Sequence, residues 1–339
     1  MAMQVCWLQR MFLSRLKRSR ARCLYVLLAV TSAAYLAVAR TPGSNWECQP
    51  EAVLHHRLLG PLDAGDPFVI SEIRRKYLFP APGPSLISKD VIKRMTAGEN
   101  NNLYSFKFYD RVVTELFISN NITGEYFIEA GALDGVYASN TLKLEFLQQW
   151  TGLLVEPDPD MFELLLNTKR NSQAIRACIS PHSYPYKALL RTLSPEKSPH
   201  DSAISYKSMT SLFSGESDDR TFNGFPTYRD VICFPMSSIL LAAQVSHVTL
   251  FSLDVEDAER KILETFPFES VKVDVWFVEH RTRDDVTGAL TTAYDPEFVK
   301  WFEARNYSLY DFHLSNVPDY VFVYNNSRFR NIRRKATQA

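Results

Sequence analysis

The chain has 339 residues, of which 46% are hydrophobic and 13% aromatic, so it can bury one large core or two smaller ones. Its 38 basic and 38 acidic side chains cancel. This balance excludes a global electrostatic field that attracts nucleic acid, and we predict no nucleic-acid partner.

The first 39 residues predict a membrane anchor. Residues 1–22 carry six Arg or Lys side chains and no acid, and the charge-free apolar run Cys23 to Ala39 follows them. A helix of that run is about 25 Å long, close to the thickness of a bilayer's hydrocarbon core. Because positively charged flanks stay in the cytosol, we predict a type II single-pass protein with a cytosolic tail at 1–22, a transmembrane signal anchor at 23–39 and all later residues in the lumen.

A cleavable signal peptide is the main alternative, because Ala37-Val38-Ala39 fits a small-x-small cleavage site. A buried soluble helix is a third interpretation, but it does not explain the basic flank. The first two interpretations both export residues 41–339. N-glycosylation sequons begin at Asn121, Asn306 and Asn325, and we predict that these three glycosylation sites lie in the lumen and that some of them carry glycans.

Three cysteines follow the apolar run: Cys48, Cys178 and Cys233. Cys178 lies in the strand-like run AIRACIS and Cys233 in YRDVICF, two runs that could lie beside each other at one sheet edge. An oxidising lumen favours pairing, so we predict a Cys178–Cys233 disulfide. Two buried free thiols are the alternative.

The remaining chain predicts a stem and one α/β domain. Residues 40–101 are rich in proline and predict a luminal stem, and a helical pattern covers Leu103 to Ser119. Strand-like and helix-like segments then alternate, which predicts a mostly parallel sheet with helices on both faces in a domain at 102–325. The segment from Pro181 to Asp230 is predicted to be a long insertion or a substrate-side loop. A basic tail follows at 326–339.

The stretch YFIEAGALDGVYASNT, from Tyr126 to Thr141, predicts a strand, a tight turn and a helix start. Glycines let a backbone turn tightly against a ligand, and ligands bind at the carboxyl ends of parallel strands. A purely structural turn is the alternative. The candidate ligand-binding residues here are Glu129, Gly131, Asp134 and Gly135.

Two further strands end in acids. Glu156 ends GLLVEP at the spacing where an acid accepts hydrogen bonds from ribose hydroxyls. Asp254 and Glu256 follow the run VTLFSL, and Glu259 begins the next helix. We expect the three strand ends to face one cleft, because the carboxyl ends of parallel strands lie at one edge of a sheet.

These motifs resemble the FkbM-type methyltransferases, whose pattern is D-x-G-A-x-x-G, an acid followed by proline, and D-V-E-G-A-E. Here the three motifs read EAGALDG at Glu129–Gly135, Glu156-Pro157, and DVEDAE at Asp254–Glu259. The chain departs from the pattern at Glu129, where the family has Asp, and at Asp257, where it has Gly. The resemblance covers residues 100 to 325 and implies a Rossmann-like class I methyltransferase fold.

The resemblance also implies a cofactor and roles for named residues. S-adenosylmethionine would bind with its methionine end near Glu129, Gly131 and Gly135, its ribose on Glu156 and its methyl group near Asp254. Asp254 or Glu256 would be the catalytic base that accepts a proton from the methyl acceptor.

The order of basic leader, apolar run, stem and luminal domain is similar to that of a type II membrane protein within this family. That resemblance implies vesicle-mediated transport of membrane cargo, such as a membrane-bound growth-factor precursor, through the endoplasmic reticulum, Golgi and endosomes. We rank transport ahead of the alternative, an active S-adenosylmethionine-dependent O-methyltransferase.

A type II glycosyltransferase is a third alternative, because Asp158 and Asp160 match a metal-binding D-x-D. We favour a helix-starting turn for these two residues. The sequence has no H-E-x-x-H and no C-x-x-C, so we predict no dedicated metal site.

Overall fold

The computed structural model describes residues 60–83, 107–194, 210–212, 225–283, 290–291, 293–314 and 317–332. The predicted cytosolic tail at 1–22, the predicted anchor at 23–39, Cys48, and stem residues 40–59 and 84–101 lie outside the described residues. Within the described ranges, no helix combines the length and the apolar character needed to cross a bilayer. The elements below belong to one unit, residues 61–339.

Seven α-helices occur among the described residues. They are α1 Pro67–Glu72, α2 Lys107–Val113, α3 Leu142–Gln148, α4 Pro159–Thr168, α5 Met236–Ala243, α6 Glu259–Glu264 and α7 Pro296–Glu303. Single π-helical turns extend α1 through Ile73–Tyr77 and α2 through Thr114–Ile118. The helix predicted over 103–119 therefore matches α2 and its extension where the chain is described.

The strands among the described residues form three sheets. They are β1 Leu78–Phe79, β2 Tyr126–Ala130, β3 Thr151–Val155, β4 Gln173–Ile175, β5 Cys178–Ile179, β6 Tyr186–Ser194, β7 Ser211–Leu212, β8 Phe225–Phe234, β9 His247–Leu253, β10 Lys272–Glu279, β11 Thr282–Arg283, β12 Leu290–Thr291, β13 Tyr307–Leu314 and β14 Pro318–Tyr324. The large sheet has the order β1-β4-β3-β2-β9-β10-β14-β13, a small sheet has the order β5-β8-β6-β7, and β11 pairs with β12.

The five central strands of the large sheet run parallel, and the edges are antiparallel. The strand order reverses between β2 and β9, because the chain adds β3 and β4 on one side and β9 and β10 on the other. In open α/β sheets such a reversal opens a crevice at the carboxyl ends of the strands. The predicted, mostly parallel sheet with helices on both faces agrees with this mixed α/β arrangement.

Alternating side chains bury both faces of the large sheet. On β10, Trp276 and Val278 enter one apolar core, and Val275 and Phe277 enter the other. Helices α1, α5, α6 and α7 cover the first face, and α2, α3 and α4 cover the second. A strand buried on both faces needs a continuous apolar run, which the sequence VWFV at 275–278 supplies.

The domain begins well before residue 102. Asp66 caps α1 by accepting a hydrogen bond from the Phe68 amide, and Val69 of α1 is buried in the core. Leu78 on β1 then pairs with Ile175 at the sheet edge. The prediction that residues 40–101 form only a stem is therefore wrong for 61–79, because Val69 and Ile73 are apolar side chains that the core buries.

The domain also ends later than the predicted boundary at residue 325. A 3-10 helix at Arg328–Asn331 places Phe329 in the core, with its ring 5.2 Å from that of Phe117. The domain therefore continues past residue 325, and the predicted basic tail at 326–339 begins within it. One buried aromatic in a run of exposed basic residues gives too weak a periodic signal to predict this contact from sequence.

Candidate ligand-binding cleft

A cavity of about 300 Å³ lies at the carboxyl ends of four parallel strands. Glu129 and Ala130 reach it from β2, Val155 and Glu156 from β3, Asp254 from the end of β9, and Glu279 from β10. Its size is at the lower end of the range for small-molecule sites. The three acidic strand ends that the sequence singles out therefore meet at one cleft.

Gly131 makes the cleft's tight first turn. Its φ is +87°, and a Cβ atom at this position would lie 2.0 Å from the Asp254 carbonyl oxygen. The amides of Gly131 and Ala132 both donate to the Val155 carbonyl, at 3.0 and 3.1 Å. Only glycine allows the loop to approach both neighbouring strands this closely.

Asp134 and Gly135 lie outside the set of residues that line the cavity. The Asp134 carboxylate accepts hydrogen bonds from the amides of Val136 (2.9 Å) and Tyr137 (2.7 Å), so it shapes the loop. A Cβ at Gly135 would be 3.3 Å from Leu165 and 3.4 Å from Arg170. This glycine therefore makes room for protein packing.

The Glu129 carboxylate lines the cavity, and it also holds the loop that follows. It accepts hydrogen bonds from the Asn140 amide at 2.8 Å and from the Ser139 hydroxyl at 2.9 Å, and it lies 3.3 Å from the buried Arg170 guanidinium. Arg170 also contacts Glu145 at 3.2 Å. Because both buried charge types are paired and hydrogen-bonded, this network fixes the loop geometry.

Glu156 is buried at the end of β3, on the cavity wall. Its Oε2 accepts from the Leu133 amide at 2.8 Å, and its Oε1 accepts from the Asp158 amide at 2.7 Å. These two bonds hold the carboxylate in a fixed orientation at the cavity wall. The geometry suits an acid that receives hydroxyl donors from the cavity.

The D-x-D pair has another role. The Asp158 carboxylate caps α4 by accepting from the amides of Asp160 (2.8 Å) and Met161 (3.2 Å). Asp160 makes a 2.8 Å ion pair with Arg229. The helix-starting turn predicted for these residues accounts for both aspartates.

A group of carboxylates forms the cleft floor. Oxygens of Asp254, Glu256 and Glu279 all lie within 4.8 Å of one another, an arrangement that could hold a metal ion. Arg281 is the basic partner, with Nη2 at 3.1 Å from Glu256 and 2.9 Å from Glu279, and Nη1 at 3.6 Å from Asp257. We call Asp254, Glu256 and Glu279 the acid cluster.

Burial raises the pKa of Asp254 well above its ordinary value, and the negative charge of Glu256 raises it further. The pKa of Glu279 is raised by burial first and then by Asp254. Burial also raises the pKa of Glu259, whose carboxylate accepts from the Val255 amide at 2.8 Å. These pKa values are raised because full ionisation of such close, buried carboxyls is unfavourable. Acids with elevated pKa values in a cleft are typical of functional sites.

Two acidic residues at the cleft floor, Glu279 and Asp319, were not predicted from the sequence. Glu279 ends β10 as Glu129 and Glu156 end their strands, so the same strand-end signal could have found it. Asp319 pairs with Glu279 across β10 and β14, and burial raises the pKa of Asp319 to about 7. Asp319 lies near the start of an antiparallel strand, where the rule used for parallel strand ends does not apply.

Asp257 occupies the position where the family pattern has glycine, and its φ is +82°. Glu256 precedes it with φ +59°. Residues with a Cβ atom rarely adopt these angles. The backbone therefore keeps the conformation that a glycine would favour, while the Asp257 carboxylate faces Arg281.

The predicted modification residues lie away from the cleft, except for one cysteine. Cys178 and Cys233 are joined by a disulfide where β5 pairs with β8, and Cys178 lines the cavity. Asn121 and Asn306 are exposed. Asn325 is half-buried, and its Nδ2 donates to the Asn306 Oδ1 at 3.2 Å.

The family model described as the methyltransferase FkbM domain matches residues 129–309, more than half of the 339-residue chain. The chain therefore belongs to the FkbM methyltransferase domain family. The match contains all three motifs and all members of the acid cluster. It agrees with the mixed α/β, Rossmann-like arrangement of the large sheet.

Two solved structures are similar over much of their length. One is precorrin-6y C5,15-methyltransferase from Geobacter metallireducens GS-15, at 10% identity and a TM-score of 0.30, covering 66% of this chain and 95% of that chain. The other is a methyltransferase from Pyrococcus furiosus, at 11% identity and a TM-score of 0.30, covering 70% and 96%. No curated protein matches the sequence.

Proposed function

We propose that the cleft binds S-adenosylmethionine. The observation that carries this proposal is the excess of buried acidic groups on the cleft floor, where the three carboxyl groups of the acid cluster lie together and one guanidinium contacts two of them. Desolvated like charges are costly unless a cation joins them. S-adenosylmethionine carries a sulfonium and an ammonium group, so its charge is complementary to the acid cluster.

The other cavity residues fit the rest of this cofactor. Glu156 would accept hydrogen bonds from the two ribose hydroxyls, as acids at this position do in dinucleotide sites. Glu129 and Gly131 would lie near the methionine end, where the loop turns. The cavity also has an apolar side formed by Val155, Pro157 and other side chains, which suits a flat base.

S-adenosylmethionine, when bound, supplies an electrophilic methyl group. Asp254 is the residue best placed to take a proton from a methyl acceptor, because it lines the cavity and burial raises its pKa, which makes it a stronger base than an ordinary aspartate. Glu256 is the other candidate base, but its Oε2 already contacts Arg281 at 3.1 Å.

Calorimetric titration of the purified full chain tests this proposal. S-adenosylmethionine should bind about tenfold more tightly than S-adenosylhomocysteine, which lacks the sulfonium charge, because a charge a few ångströms from carboxylates gains more than 1 kcal/mol. Glu279→Gln keeps the side-chain shape and should reduce this preference. Glu264→Gln, on the exposed side of α6, is the matched control and should not.

Glu156→Ala should weaken binding of both ligands about tenfold or more, because it removes a charged acceptor. Failure of both ligands to bind the folded wild-type chain would overturn the proposal. Equal affinities of the two ligands, unchanged by Glu279→Gln, would overturn the role of the acid cluster.

A second function concerns location and transport. The order of leader, apolar run and domain is similar to that of protein Star, and we infer a type II membrane protein that moves membrane cargo through the endoplasmic reticulum, Golgi and endosomes. The Cys178–Cys233 disulfide supports an oxidising compartment. The exposure of Asn121 and Asn306 supports access to the glycosylation machinery.

We propose that this transport does not require methyl transfer, since a fold by itself does not determine an activity. The test is export of a membrane-bound growth-factor precursor from cells that lack the protein. Glu156→Ala and Asp254→Asn should restore export as well as the wild type, and deletion of residues 23–39 should not. A folded Glu156→Ala variant that fails as completely as the deletion would assign the role to the enzyme.

A further inference from the structure

The small sheet forms one wall of the cleft. Cys178 and Ile179 of β5, Leu190 of β6, and Thr210 and Leu212 at β7 all line the cavity. The paired strands β6 and β8 and the short β7 come from the segment between Pro181 and Phe234, which interrupts the alternation of the large sheet. The insertion is thus part of the ligand site.

This wall is attached firmly to the large sheet. β5 begins three residues after β4 ends, so its position follows from the large sheet. The disulfide joins Cys178 of β5 to Cys233 of β8, and the Ser180 amide donates to the Phe234 carbonyl at 2.8 Å. β8 then pairs along the whole length of β6. The disulfide therefore fixes the position of the strand that carries Leu190.

Thr210 supplies an unsatisfied polar atom in this wall. Its Oγ1 is inaccessible to solvent and has no hydrogen-bond partner among the described residues. The inserted sheet's other lining residues include the apolar side chains of Ile179, Leu190 and Leu212. Buried hydroxyls without a partner are rare, because each costs about 1–3 kcal/mol. Thr210 lines the cavity, so a rotation about its χ1 would turn this hydroxyl toward a ligand atom there.

The chemistry of the wall indicates which part of a ligand it faces. Glu156 is suited to ribose hydroxyls, and Pro157, Ile179 and Leu190 supply apolar surface in the same cavity. A flat, mostly apolar group with polar ring atoms matches a surface that has one hydroxyl among aliphatic side chains. The base of a nucleoside has these properties.

We infer that the inserted sheet is the base-binding wall of the cleft, with Thr210 as its hydrogen-bonding residue and the Cys178–Cys233 disulfide as its support. This inference rests on the proposed S-adenosylmethionine site. It adds that recognition of the base depends on the insertion and on the oxidation state of one disulfide.

The experiment measures adenosine and S-adenosylhomocysteine binding to the full chain by calorimetry. Thr210→Val preserves the shape and removes the hydroxyl, and it should weaken both ligands by the same factor, about three- to tenfold. Thr210→Ser keeps the hydroxyl and should retain most of the affinity. Thr227→Val is the matched control in the same sheet, since Thr227 is exposed and pairs only with Thr192 at 2.6 Å in the described structure, and it should bind as the wild type does.

The variant Cys233→Ala tests whether the disulfide supports the base-binding wall, since Cys233 does not line the cavity. This variant should bind adenosine several-fold more weakly and lose sensitivity to a reductant, while reductant should weaken binding to the wild type. If Cys233→Ala does not fold, the reductant titration of the folded wild type provides the same comparison.

The outcomes separate the two proposals. Wild-type protein that binds neither ligand overturns both the cofactor site and its base-binding wall. Wild-type binding of S-adenosylhomocysteine with an unchanged affinity in Thr210→Val overturns the role of Thr210 alone. Adenosine affinity that is the same with and without the disulfide overturns the supporting role of Cys178 and Cys233.

Discussion

Replacing Gly131 with alanine should destabilise the domain far more than a glycine-to-alanine change usually does. Gly131 has φ +87°, and the added Cβ would lie 2.0 Å from the Asp254 carbonyl oxygen, where ordinary contacts begin near 3.4 Å. The turn or the end of β9 must therefore move by more than about 1 Å. The turn is held by two amide hydrogen bonds to Val155, which that movement would strain.

The magnitude follows from three contributions. The left-handed backbone costs an alanine about 1 kcal/mol. Weakening the two hydrogen bonds to Val155 costs about 1 kcal/mol each, and overpacking adds about 1–3 kcal/mol. We expect Gly131→Ala to lower the free energy of unfolding by about 4–6 kcal/mol, measured by urea denaturation of the purified chain.

Gly124→Ala is the matched control. Gly124 also has a left-handed backbone, with φ +69°, but an added Cβ there meets no atom within 4 Å. This change should cost only about 1 kcal/mol, which is the backbone contribution alone. If the two variants differ by less than 1 kcal/mol, close approach of the turn to β9 is not what requires glycine at Gly131.

Three further predictions concern the cleft floor and the glycan sites. The free energy of unfolding of Asp257→Gly in urea should be about 1 kcal/mol higher than that of Asp257→Ala. Both substitutions remove the carboxylate, and only glycine adopts φ +82° without strain. Equal free energies of unfolding would contradict this prediction. Burial raises the folded-state pKa of Asp319 from 3.8 to about 7, so its stabilising contribution is complete below pH 4 and is lost as the pH rises through about 7. The free energy of unfolding of the wild type should therefore fall between pH 4 and 8, and Asp319→Asn should reduce this fall. A pH profile that the substitution leaves unchanged would disprove the raised pKa of Asp319. Glycopeptide mass spectrometry should find a glycan on Asn121 and on at most one of Asn306 and Asn325, because the latter two side chains contact each other at 3.2 Å; molecules modified at both would contradict this.

The cleft could be predicted in outline because its first three acids obey a local rule. Glu129, Glu156 and Asp254 each follow an apolar run, and the ends of parallel strands meet at one edge of a sheet. The pairing of Cys178 with Cys233 also rests on local strand patterns, and the structure joins these two residues. Asp134 shares the same motif but bonds the amides of its own turn, and motif membership alone cannot reveal a side chain's direction.

The remaining features depend on contacts between distant segments. Thr210 reaches the cavity only because β7 pairs with β6, and nothing in its local sequence predicts that pairing. Asp319 approaches the acid cluster across an antiparallel pair with Glu279. Val69 and Ile73 follow a proline-rich segment whose composition predicts a stem, yet the core buries both.

By itself, the sequence determined the alternation of strands and helices, the acidic strand ends and the family motifs, because periodicity and spacing are local properties of the chain. Only the tertiary structure decided which acids share a cleft with Arg281, which glycine is sterically required, and which inserted strands form the cleft wall. These properties depend on distances of a few ångströms between residues far apart in the chain, and such distances are set by the packing of the whole sheet.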